Sequence, residues 1–173
     1  NEVELECKED GPLAAVCFKT VADPYVGKMS YIKVASGKIT GDTPCYCART
    51  GETQRMGKMV IPKGGKTEDT TAIAAGDIAV ITKLENFKTG DTICSEKAPL
   101  SLTGPVFPDP CLSMCINVKK KGEEEKVAMG LKKLSHEDPS IRYYTNDETR
   151  EQILSGLGEQ HLDLIVNKLK TKF

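Results

Sequence analysis

Between Leu13 and Cys94, short runs of Val, Ile, Thr and Cys are separated at regular intervals by turn-forming pairs. The pairs are Ser36 with Gly37, Gly41 with Asp42, Thr50 with Gly51, Gly76 with Asp77, and Gly90 with Asp91. Within the runs the apolar period is two. Ser30, Ile32 and Val34 share one strand face and Met29, Tyr31 and Lys33 the other, while Ala79 and Ile81 lie opposite Ile78 and Val80. Glycine enters positive φ without a Cβ clash, and aspartate bonds to nearby amides, so the pairs read as turns between strands. Many short strands with such punctuation predict a sheet closed into a barrel or sandwich.

The pattern changes after Ala98. Pro99, Gly104, Pro105, Pro108 and Pro110 exclude helix and predict a stiff, extended connector over 99–110, between a β-barrel over 1–98 and a second domain over 111–173. In that domain Leu112 to Val118 reads as a strand. Glu123 to Ser135 reads as a helix, with Val127, Leu131 and Leu134 at i, i+4 and i+7. Ile141 to Thr145 is a strand, Asn146 to Arg150 a polar turn and Gln152 to Ser155 a further strand. Leu162, Ile165, Val166 and Leu169 then stripe a final helix. The order βαββα is one strand short of the split βαβ pattern. The expected fold is thus mostly β plus α+β, a barrel followed by a ferredoxin-like module truncated before its last strand, with an open sheet edge.

Composition narrows the function classes. Lys and Arg total 24 against 25 Asp and Glu, so no global positive field drives nucleic-acid binding and any RNA contact must be local. The chain has no Trp and few other aromatics, which speaks against a base-stacking surface. It has no apolar run near the roughly 18 residues of a membrane span and no secretory leader pattern, and it starts at Asn1; a piece of a soluble cytoplasmic protein is expected. The seven cysteines are an odd set lying mostly in strand-like runs, where reduced, buried thiols are expected.

Several motifs invite a chemical reading. Gly64, Gly65, Lys66 and Thr67 spell the end of a phosphate-binding loop, but Val60 holds the place of its first glycine, Pro62 interrupts it and more β pattern follows. A hairpin is expected there. Cys45 with Cys47, and Cys111 with Cys115, could supply four thiolates, yet C-x-C and C-x3-C fall outside most structural zinc spacings, and core packing is expected. His161 near Glu159 could do acid-base work only with an orienting partner. A small enzyme using Cys94 or His161 lacks the convergent cluster such chemistry needs. Lys119 to Lys121 precede Glu123 to Glu125, acids that complement a helix N-terminus, and read as solvated surface; His136 reads as a residue of that helix's C-terminus.

Taken together, the barrel half resembles the second domain of the elongation factor G family through PLAAVCFKTVADPYVGKMSYIKVASGKITGD (12–42), AAGDIAVI (74–81) and TGDTIC (89–94). The remainder resembles the third domain of that family through FPDPCLSMCINV (107–118), EDPSIR (137–142) and GLGEQHLD (156–163). The polar stretch from Val60 to Thr71 departs from the family form. The resemblance implies a non-catalytic part of a translational GTPase, with no cofactor of its own and GTP and Mg held by a separate domain of the parent. It implies partners in the ribosome, through small-subunit rRNA and proteins, and in the GTPase and C-terminal domains of the same parent, and no membrane. It makes Arg49, Arg55 and Lys58 candidates for rRNA contact, and Gly156, Gly158, Glu159 and His161 candidates for contact with a neighbouring domain. A ribosomal-protection protein of the tetracycline-resistance type, another paralogous translation GTPase, and a stand-alone RNA-binding adaptor remain the alternatives.

Overall fold

A computed structural model describes residues 4–23, 25–118 and 122–172. The lysine run 119–121 lies outside the described residues. Two compact units divide between Pro105 and Val106.

In the first unit the alternating pattern becomes ten strands: β1 (Ala14–Asp23), β2 (Gly27–Ser36), β3 (Lys38–Thr40), β4 (Cys45–Cys47), β5 (Glu52–Gln54), β6 (Met59–Lys63), β7 (Lys66–Asp69), β8 (Ala72–Ala74), β9 (Ile78–Thr82) and β10 (Thr92–Cys94). Eight form one antiparallel sheet in the order β5-β4-β10-β1-β2-β9-β6-β7, and β3 pairs with β8 separately. Both sheets feed one core. Ile32, Ile81 and Ile93 come from the large sheet, Ile39 and Ile73 face each other across the small one, and Leu84 and Phe87 fill the space from the loop after β9. Along β2 the expected faces are seen, with Ser30, Ile32 and Val34 buried, and Lys33 exposed. On β9 the alternation is masked: Ala79 and Ile81 enter the core, and Val80 on the opposite face is covered as well.

The β1–β2 ladder slips between Cys17 and Lys19, so Phe18 is an extra residue on β1 with no partner on β2. Such a bulge bends the strand and re-aims its side chain. Gly64 and Gly65 form the turn of the β6–β7 hairpin, with Lys63 opposite Lys66. The Pro-rich stretch is non-helical, and its first part lies against the barrel. Leu102 donates its amide to Thr92 Oγ1 at 2.9 Å, and a Cβ on Gly104 would come within 2.9 Å of Gly90 Cα.

The second unit contains β11 (Leu112–Cys115), α1 (Glu124–Glu137), β12 (Arg142–Thr145), β13 (Gln152–Gly156) and α2 (Glu159–Lys172). Strand β11 stops three residues short of the expected span, although Ile116 still donates to Gln152 O at 2.8 Å; α1 runs two residues beyond Ser135. The sheet order is β11-β13-β12, antiparallel throughout, with β11 on an edge. Leu131 and Leu134 of α1, and Leu162 and Ile165 of α2, pack with Ile141 and Leu154, while Val127 and Leu169 are only partly covered.

Phe87→Ala should lower the stability of the barrel by about 3–5 kcal/mol, because it empties a fully buried aromatic site. Ile78→Ser on the outer face should stay within about 0.5 kcal/mol. Urea titration of the two variants checks both values.

Candidate functional site

The barrel draws its strands together at Asp91, at the entrance of β10. Gly90, at φ +96°, lets the chain turn there, its amide donating to Cys17 O at 2.7 Å while Cys17 donates to Asp91 O at 2.9 Å. The Asp91 side chain is almost fully buried. It receives Arg49 Nε on Oδ1 at 2.7 Å, Arg49 Nη2 on Oδ2 at 2.8 Å and the Lys88 amide on Oδ2 at 2.8 Å. Burial alone would raise its pKa, but the Arg49 fork and the Lys88 amide outweigh burial and hold the carboxyl below its ordinary value.

This arrangement decides what the three basic candidates can do. Arg49 follows β4, and its guanidinium is committed to Asp91 and to Asn86 O. Arg55 and Lys58 lie in the connection from β5 to β6. Arg55 is exposed, and the Lys58 ammonium, on a side chain open to solvent, is bonded to Asp69 at 2.8 Å. An exposed lysine pair of that kind is worth little and exchanges readily for another anion. Arg55 and Lys58 are therefore the available cations and Arg49 chiefly a brace.

In the second unit, the two motifs EDPSIR and GLGEQHLD meet. Pro139 disfavours helical backbone at Asp138, and α1 ends there with the Asp138 amide still bonded to Leu134 O at 2.9 Å. The Asp138 Oδ1 accepts the Ser140 amide at 3.0 Å and the Ser140 hydroxyl at 2.5 Å. Its Oδ2 faces His161 Nε2 at 2.9 Å. The other ring nitrogen, Nδ1, accepts the Leu157 amide at 3.1 Å, which places the proton of the neutral ring on Nε2 and makes that nitrogen the donor to Asp138. The orienting partner of His161 is thus Asp138, and Glu159 is exposed to solvent. Gly156 is buried, and a Cβ there would come within 2.8 Å of Leu162 and 3.1 Å of His161 Nδ1. Beside this, Glu137 takes Lys168 at 3.1 Å and Lys172 at 3.2 Å from α2. Burial would raise the pKa of Glu137 and of Asp138; the lysines in one case, and Ser140 with His161 in the other, bring both below the ordinary range.

Of the four predicted contact residues, Gly156 and His161 are turned inward to these bonds, Gly158 is half-buried and Glu159 faces out near exposed Leu157. Asp138 belongs to the motif EDPSIR, yet nothing in a linear reading pairs it with a histidine on another helix.

Gly64 to Thr67 sit at a hairpin turn with no following helix, so they do not form a phosphate cradle. Among the described residues no group of three or more His, Cys, Asp or Glu could hold a metal, and no helix is long and apolar enough to cross a membrane. All seven cysteines are free thiols. Cys17, Cys45, Cys47 and Cys94 are buried, with burial pushing the Cys45 thiol up to about 12. Cys7, Cys111 and Cys115 are exposed, contrary to the expectation of buried thiols. Cys111 immediately precedes the edge strand β11 and Cys115 ends it, and an edge position leaves one flank of a strand open to water.

Two family models match the chain in order. Residues 12–96 match "Elongation factor G domain 2", and residues 107–173 match "Elongation Factor G, domain III". The chain belongs to the elongation factor G family. Elongation factor G of Ureaplasma parvum serovar 3 and of Ureaplasma urealyticum serovar 10 are each 39% identical to it over all 173 residues, a span that covers 25% of those relatives. A crystal structure from Thermus thermophilus superposes with a TM-score of 0.77 at 26% identity, covering 93% of this chain and 24% of that one. The chain thus spans about a quarter of the length of its elongation factor G relatives. The regions that match are the second and third domains of the family, and both EDPSIR and GLGEQHLD fall in the matched stretch of the third.

Asp138→Asn should cost about 1–2 kcal/mol at pH 7, since it loses the charge that receives three donors. Because the folded pKa values of Asp91, Glu137 and Asp138 are depressed, their stabilisation is complete above the unfolded carboxylate values near 4 and is lost as pH falls through the lower folded values. Chemical unfolding at pH 7 and at steps below 4 should show the Asp138→Asn curve converging on that of the parent in acid.

Proposed function

We propose that this chain serves a cytoplasmic translational GTPase as its non-catalytic middle part: the barrel docks on small-subunit rRNA, and the α+β unit relays the nucleotide state of a GTPase domain to the tRNA-facing domains during translocation. The carrying observation is the unbroken, in-order similarity to elongation factor G through both domains, at 39% identity. In this reading GTP and Mg are bound by the parent's GTPase domain, and the fragment itself has no hydrolytic role. The ribosomal contact is assigned to Arg55 and Lys58, whose charges can meet phosphates, with Arg49 holding the hairpin that precedes them. The domain contact is assigned to the surface around Gly158 and Glu159, backed by the buried Gly156 and the inward-turned His161. A relay of this kind requires two positions of the α+β unit that GTP and GDP bias differently.

Binding to purified small ribosomal subunits tests the docking role. Arg55→Glu with Lys58→Glu should weaken binding about tenfold or more and lower its salt dependence, by a slope of about one for each phosphate no longer neutralised. Unchanged affinity and slope would remove these residues from the interface. Calorimetry with GTP and with GDP should give no binding heat, whereas saturable micromolar binding would contradict the non-catalytic assignment.

A further inference from the structure

Three of the chain's aromatic side chains, from a total of five Tyr and four Phe, lie on the single hairpin β1–β2. The bulge leaves Phe18 outside the core, 36% exposed, with its ring edge-on to Tyr31 at a centroid distance of 6.4 Å. Lys19 pairs directly with Tyr31 across the ladder, and its ammonium stands 5.5 Å from the Tyr31 ring centroid. Lys33, two residues along the same outward face, is exposed with its ammonium donating to the neutral Gly76 carbonyl oxygen, and it neighbours Ile78, itself 46% exposed. At the tip, Asp23 Oδ1 accepts the amides of Tyr25 and Val26 at 2.8 Å each, and the Tyr25 side chain is 96% exposed. The acid at the tip is thereby engaged in shaping it. The other outward side chains, Val21, Met29 and Ala35, carry no charge.

We propose that the β1–β2 hairpin is a stacking surface for unpaired RNA bases, with Phe18, Tyr25 and Tyr31 as the platforms and Lys19 and Lys33 on the flanking phosphates. Rings beside cations on a strand surface, among otherwise uncharged neighbours, match what an unpaired nucleic acid strand offers: a π face on each base and a negative charge on each linkage. A protein partner fits less well, because lysine is depleted in the cores of protein interfaces, and here lysines sit among the rings. The Tyr25 backbone is already ordered by Asp23, so little conformational freedom is lost on contact. The inference deepens the proposed docking on small-subunit rRNA by adding base contacts on the β1–β2 hairpin to the phosphate contacts of the β5–β6 connection.

Since the chain has no Trp, its emission comes from five tyrosines, of which Tyr25 and Tyr31 are platforms, so quenching at the hairpin removes part of the signal. A single-stranded ten-nucleotide oligoadenylate should quench it saturably, and the same strand in duplex with oligouridylate should bind at least tenfold more weakly. Phe18→Ala with Tyr25→Ala should weaken single-strand binding about tenfold or more, whereas Tyr25→Phe should restore it; thermal melting of each variant controls for folding. No quenching, equal affinity for the duplex, or alanine variants that bind as tightly as the parent would overturn the proposal. On purified small ribosomal subunits, ultraviolet crosslinking followed by peptide mapping should join the hairpin to nucleotides, and adducts only with ribosomal protein would also overturn it. The two readings fail separately. If Arg55→Glu with Lys58→Glu weakens subunit binding but the hairpin variants do not, the stacking surface falls and the docking reading stands. If the chain binds and quenches with oligoadenylate but does not bind the subunit, the reverse holds.

Discussion

The barrel depends on a carboxylate that water hardly reaches. Asp91 gathers three separate pieces of chain: β1 through the amide of Cys17, the β4–β5 hairpin through both arms of Arg49, and its own loop through the amide of Lys88. A charge so placed would be costly alone, since desolvation of an isolated carboxylate far exceeds what one surface contact returns. Two parallel guanidinium bonds and an amide make the site self-consistent. They also fix which strands lie beside β10, because β1 and β4 flank it on either side. Phe87 and Leu84 enter the core from the loop immediately before this point, so the polar brace and the apolar filling are set by one short segment.

The α+β unit solves a related problem with an imidazole. His161 joins the end of α1 to the turn before α2, and the two lysine bonds to Glu137 lie one residue away from Asp138. The C-terminal end of α1 is thus tied by polar contacts to α2, at His161 in its first turn and at Lys168 and Lys172 further along, while Leu131, Leu134, Leu162 and Ile165 pack the two helices together. For a unit proposed to transmit a change of state, this favours movement as one body over internal deformation, since packed interiors resist continuous distortion.

The fold was largely legible because its signals are local. Period-two alternation and glycine-marked turns gave the strands, and the i, i+4, i+7 stripes gave both helices. Where the reading fell short, the cause was tertiary. Val80 is fully buried although it lies on the face opposite Ala79 and Ile81, which a pattern of alternation cannot anticipate. The Pro-rich stretch reads as a stiff, extended connector, and alternation of Pro and Gly does not show that Leu102 and Gly104 lie against the barrel at Thr92 and Gly90. Site residues were less legible than the fold. Arg49 looks like Arg55 until Asp91, 42 positions on, claims it. The sequence offers His161 a neighbour in Glu159, whereas its partner is 23 positions away. Few aromatics overall say little about where they collect, and a one-residue bulge puts Phe18 beside Tyr31.

The distribution of thiols has a use in the laboratory. Every buried cysteine belongs to the barrel, and the second unit carries only the exposed Cys111 and Cys115. A thiol reagent added to the native chain would modify the three accessible sulfurs at once. Slower modification would then follow the opening of the barrel alone, however often the other unit opened. The chain therefore carries its own chemical clock for one half of the molecule, and native-state labelling monitored by mass could time that opening without any introduced probe.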